Sequence, residues 1–182
     1  MSFPRLERSP GVGTADEMEM ATDPRERFTG GERALLVVVG LALLHHVDHV
    51  LRADNSGWPF TPDVTPFTVS LIVYPIFVLD FLTLRGRPWV RVGLVAVLFV
   101  ALLVVHAVFE TPADQYRTWA EGVSSVPHAA GRPNLLEVAS PALGVAAVVV
   151  AIALSVAVLV ALVLLLGEAR RGVIPTGRWP AR

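Results

Sequence analysis

Apolar residues in this chain are gathered into four blocks, and each block approaches the length of a membrane span, with charges clustered between them. No other feature constrains the fold as much. A soluble domain of 182 residues could bury a good core. The class is therefore decided by how the hydrophobic 53% is distributed. Within hydrocarbon, backbone N–H and C=O groups must be satisfied inside the segment, so such blocks form helices. The expectation is an all-α, integral membrane four-helix bundle whose first surroundings are the lipid bilayer.

Turn chemistry sets the boundaries. Residues 1–28 are polar, with Pro, Gly and mixed charge, and read as a disordered cytoplasmic segment. Residues 29–169 read as the transmembrane domain, and 170–182 as a basic cytoplasmic tail. Thr29 and Glu32 form a capping-box pattern before a helix over about 31–53. Pro66 opens a second helix over about 66–84, which Pro75 should kink. A third helix covers about 89–109. The stretch ADQYRTWAEG in the next connection suits a short interfacial helix with Tyr116 and Trp119 on one side. The last block, 135–166, would be roughly 48 Å long as one helix, well over a ~30 Å hydrocarbon core. Ser140-Pro141 marks a break in it. Trp58, Phe60, Trp89 and Trp119 suit interfacial belts.

Arginine placement predicts the orientation. Arg25, Arg27 and Arg33 precede the first helix, Arg85, Arg87 and Arg91 flank the turn after the second, and Arg170, Arg171, Arg178 and Arg182 follow the last. The other two connections carry Arg52, Arg117 and Arg132. Both termini are thus expected in the cytoplasm, a parity that four spans satisfy. The polar lead is too long for a cleavable signal peptide. All fifteen basic residues are arginine, which reads as the coding bias of a GC-rich prokaryotic genome and places the protein in an inner membrane.

Several function classes are excluded or disfavoured. A net charge of −1 gives no case for a nucleic-acid partner. With no cysteine, disulfides, thiolate metal sites, iron–sulfur clusters and a cysteine nucleophile are excluded. HExxH, GxSxG and a phosphate-binding glycine loop are missing. Five histidines are too few for the several histidine boxes of membrane di-iron desaturases.

The polar residues of the first helix carry the chemistry. Its clean apolar run, Ala34 to Leu44, is about 16 Å long, half of what a crossing needs. The helix must therefore continue through His45, His46, Asp48 and His49. Ionisable groups at that depth are costly, so they should face protein and pair there. At about 100° per residue, His45, Asp48, His49 and Arg52 share one face, and His46 points about 100° away. Asp48 and Arg52 are spaced to pair, and His45 and His49 to aim at one point.

Connectivity brings other groups to the same outer level. His106 and Glu110, again four apart, lie at the outer end of the third helix. Glu137 would enter there on the fourth helix, and His128 lies in the outer loop. Tyr74 is placed to present a hydroxyl to the cluster. Asp80 lies toward the inner side, where Arg85 is the expected partner.

His45, His49 and His106 are the expected ligands of a transition metal (zinc, iron or copper), with Glu110 a fourth ligand or proton acceptor. Asp48 would orient a histidine or pair with Arg52, and His46 and Glu137 would be additional groups. Haem b held by paired histidines is a variant, by analogy with the architecture of four-helix membrane cytochromes b. Such a centre would be redox or metal-handling. The alternative is a proton- or ion-coupled transporter, or a small subunit of a larger membrane complex, using the same cluster without metal. Four helices are few for a transporter, so a homo-oligomer would then be expected. A purely structural protein predicts instead that the two polar faces do not meet. Imidazole nitrogens more than about 8 Å apart could not share an ion at ~2 Å per bond.

Overall fold

The computed structural model describes residues 28–52, 66–125 and 129–172, all within one compact unit. Trp58, Phe60, His128 and most of the two terminal segments lie outside these residues. Among the described residues the regular structure is helical, apart from one isolated bridge between Val123 and Pro133.

Helix α1 spans Gly30–Arg52, α2 Pro66–Ser70, α3 Val73–Thr83, α4 Pro88–Val108, α5 Pro112–Glu121 and α6 Pro141–Arg170. Three of them, α1, α4 and α6, are long and apolar enough to cross a membrane, and Phe67–Thr83 forms a shorter apolar segment. The protein is thus an all-α membrane bundle. Its outer surface agrees: Val37 (57% exposed), Val97 (67%) and Val163 (59%) stand out from three different helices. A water-soluble monomer rarely exposes apolar surface on all sides in this way.

Local chemistry accounts for the helix ends. The Thr29 hydroxyl accepts from Glu32 N–H at 3.2 Å, and the Glu32 carboxylate accepts from Thr29 N–H at 3.1 Å, so the expected capping box starts α1. A second box, Thr111 with Asp114, starts α5. The second apolar segment does not bend at Pro75 itself. It breaks into α2 and α3 at Leu71-Ile72, one turn earlier. A proline lacks the N–H that would bond the carbonyl four residues back, here Leu71, and its ring clashes with that carbonyl. Longer-range bonding gives way to Ile72 N–H to Val69 O and Tyr74 N–H to Leu71 O, both 3.2 Å.

The last helix corrects a boundary. It begins at Pro141, not 135, because Ser140 caps it through Leu143 N–H and Pro141 suits its first turn. Residues 135–140 run as non-helical chain. The Asn134 side-chain oxygen accepts from Leu136 and Val138 N–H in a local turn.

Helix α6 is the spine, with its main contacts to α1, α4 and α5. Leu154, Val158, Ala161 and Leu165 pack on Leu35, Val38 and Ala42 of α1, joined by Phe77 of α3 and Val95 of α4. Small residues let backbones approach where lipid supplies no hydrophobic drive between helices. At Gly31 an added Cβ would lie 2.7 Å from Leu165 Cδ2. Helices α1 and α4 run from the end marked by Glu32 to the end marked by the histidines, and α2–α3 and α6 run back.

Candidate functional site

The buried face of α1 reads Leu35, Val38, Ala42, His45, His49, Arg52, a three-and-four spacing that carries the apolar stripe directly into the polar cluster. His45 is 4% exposed, His49 8% and Arg52 0%. His106 of α4 and the buried Glu110, just beyond the end of that helix, meet this face. His106 Nε2 lies 3.0 Å from His45 Nε2, and His45 Nε2 lies 3.1 Å from His49 Nε2. His49 Nε2 is in turn 3.2 Å from Glu110 Oε2. The two polar faces therefore meet, well inside the separation that a purely structural protein predicts. Among the described residues no group of three or more His, Asp or Glu side chains is arranged to hold a metal ion. The four donor atoms touch one another instead.

Behind this row stand the charged groups. Arg52 Nε donates to Asp48 at 2.7 Å, the four-apart pair expected from spacing, and its Nη1 donates to Glu110 Oε1. Asp48 also accepts from Trp119 Nε1 at 2.7 Å. Its partners are thus a guanidinium and an indole, not an imidazole, so its expected role of orienting a histidine is replaced by holding Arg52. Trp119 is 3% exposed and belongs to this network, not to an interfacial belt, while Tyr116 on the same helix is 38% exposed. Trp89, at 58% exposure, does fit a belt.

The ring nitrogens are not equivalent. His106 Nδ1 donates to Leu102 O at 2.8 Å, one turn back on its own helix, which leaves Nε2 with its lone pair. The Nδ1 atoms of His45 and His49 are buried without a hydrogen-bond partner. His46, off the main face as its position requires, is occupied at both nitrogens. Nδ1 contacts Ala42 O (2.8 Å) and the Tyr74 hydroxyl (2.7 Å), and Nε2 contacts the Ser70 hydroxyl (2.8 Å). It ties α1 to α2 and α3, and Tyr74 reaches His46 instead of the main row. Glu137 stands apart, exposed in the 135–140 stretch at a positive φ of 53°.

A second polar cluster at the opposite end was not foreseen as a unit. Asp80 (1% exposed) pairs with Arg91 at 2.8 Å, not with Arg85. Arg85 instead donates twice to Glu32, at 2.7 and 2.8 Å. That hydrogen bond holds the Arg85 guanidinium above its ordinary pKa. Glu168 of α6 accepts from Gly31 N–H at 2.8 Å and from the Thr29 hydroxyl at 3.0 Å, at the positive end of the α1 dipole. All charges here have partners, and the cluster pins α1, α3, α4 and α6 together.

Between the two clusters lies a cavity of about 480 Å³, bounded by α1, α2, α3, α4 and α6. Its walls are apolar except at one end, where His45, His46, His49, Ser70, His106 and Glu110 line it. Fold and site together define a helical membrane protein with ionisable residues buried at two levels and an apolar chamber between them. Comparison with family models, curated proteins and solved structures gives no match.

Proposed function

We propose that this protein holds one transition-metal ion (zinc, iron or copper) through Nε2 of His45, His49 and His106, with Glu110 as fourth ligand or proton acceptor. It would serve as a redox or metal-handling centre on the outward side of a prokaryotic inner membrane. The observation that carries this reading is the position of His45 Nε2, about 3 Å from two other imidazole nitrogens. A ring nitrogen has one in-plane position, filled by a proton or a lone pair. His45 Nε2 therefore satisfies one of its two nitrogen neighbours by hydrogen bonding, never both. Three lone pairs turned toward one cation remove the conflict. Tetrahedral nitrogen ligands with bonds of ~2.0–2.1 Å stand about 3.3 Å apart, a few tenths of an ångström more than the separations here.

Charge supports the same reading. Among the described residues Asp48 and Glu110 share the guanidinium of Arg52, an arrangement that favours a further cation in low dielectric. A compact ion suits the nitrogen spacing better than haem, whose axial histidines stand on opposite faces of a flat macrocycle.

The test is metal analysis with an absorption spectrum on detergent-purified protein, repeated on His45→Ala and His106→Ala. Wild type should carry one ion per chain, lost from both variants, with no Soret band. A folded wild type that is colourless and takes up no zinc, iron or copper would overturn the reading in favour of a proton relay or a structural cluster.

A further inference from the structure

We infer that the cavity takes a long, single-tailed amphiphile drawn from the membrane, its oxygen-bearing head at the histidine end and its tail along α1 toward Leu35. The head assignment rests on the metal reading above; the tail assignment does not. Along α1 the cavity wall runs from Leu35 to His49, fourteen residues or roughly 21 Å. That is a slot for an extended acyl or isoprenoid chain, not for a small polar solute. The far walls, Phe77, Val95, Leu154 and Val158, offer no hydrogen bond. At the near end the rim residues Val69, Ile72 and Phe109 are 56%, 59% and 54% exposed. The chamber is thus reached between α2–α3 and α4, where the Pro75-induced break keeps the wall short.

The physical chemistry of this position favours a lipid-phase ligand. Moving an apolar tail from bilayer into an apolar chamber gains almost nothing, so the tail supplies shape selection and the head must supply affinity. The polar groups that could hold a head lie at the one end. His46 is already bonded at both nitrogens, so the open position belongs to the ion of His45, His49 and His106. With Glu110 held by Arg52, an alcohol, carbonyl or carboxylate oxygen would complete its coordination, as substrate does at three-ligand metal sites.

The test uses a fluorescent conjugated-polyene fatty acid as probe, with metal content measured on each sample. Ala101 is exposed and lines the cavity. Val97, one turn away on α4, is 67% exposed and does not line it. Ala101→Phe should weaken probe binding about tenfold or more, whereas Val97→Phe should leave it unchanged, both at wild-type metal content. Dodecanol and dodecanoate should displace the probe and shift the ligand-field spectrum of cobalt-loaded protein; dodecane should not shift it. Equal binding by both variants, or none by wild type, overturns the tail site whatever the metal content. Displacement without a spectral shift in cobalt-loaded protein overturns the head assignment. A dimer that Ala101→Phe dissociates, with no probe bound, shows that a second copy closes the opening and likewise overturns the proposal.

Discussion

Arg52 is the residue on which the histidine end depends most. It is fully buried and holds Asp48 on one side and Glu110 on the other. Removing one partner of a buried ion pair leaves an uncompensated charge, which costs far more than the pair itself contributes. Arg52→Leu should therefore destabilise the protein by about 3 kcal/mol, read as a lowered unfolding midpoint in detergent. Adding Glu110→Gln should recover part of that loss, because the stranded carboxylate is gone. Arg52→Lys should recover less than the wild-type midpoint, since a point charge replaces a planar fork. A midpoint unchanged in Arg52→Leu would show that the charges are solvated and the cluster is not buried. Spacing alone made the Asp48–Arg52 pair legible, since four residues on a helix are one turn. The Arg52–Glu110 and Asp80–Arg91 pairs were not legible, because they join different helices. Nearest charge in sequence, which favoured Arg85 for Asp80, is a poor guide once helices pack.

Among the elements, α5 is the clearest case of a local signal with a tertiary outcome. Its position and its two aromatic residues were readable, but which aromatic would be buried was not. That depends on Gly144 of α6, where an added Cβ would lie 2.7 Å from the Tyr116 carbonyl oxygen and 2.9 Å from Tyr116 Cδ2. The helix sits that close because α6 presents no side chain there, and the approach delivers Trp119 to Asp48. Gly144→Val should push α5 outward at a cost of about 1–3 kcal/mol. Trp119 would then leave Asp48. Its emission should move to the red, measured against a background in which Trp58, Trp89 and Trp179 are replaced by Phe. An unshifted spectrum would mean that α5 is held by something other than this contact. The start of α6 makes a related point. Apolar residues 135–140 continue the hydropathy of the helix, so composition extends it too far, while Ser140-Pro141 carries the stereochemistry that starts it.

For the molecule as a whole, the bundle was readable from hydropathy, and the meeting of His45 and His106 from the parity of its crossings. Arginine placement gives only an expectation of the direction in which that bundle faces the cell, and the fold makes it testable. Gly86 stands in the turn between α3 and α4, and Arg170 ends α6. Both lie at the end where Glu32 meets Arg85 and where Glu168 meets Gly31. Ala130 lies beyond α4, in the connection that returns to α6 at the histidine end. The chain has no cysteine, so a single introduced thiol reports one position without background. An added Cβ at Gly86 meets nothing within 4 Å, and Arg170 and Ala130 are exposed, so none of the three substitutions disturbs packing. In intact cells a membrane-impermeant maleimide should label Ala130→Cys at once, and Gly86→Cys and Arg170→Cys only after lysis. The reverse pattern would keep the bundle and turn the histidine cluster, and the opening beside it, toward the cytoplasm. Labelling of Gly86→Cys and Arg170→Cys from opposite sides would break the four-crossing parity itself. One of the two long helices between them, α4 or α6, would then not cross the bilayer.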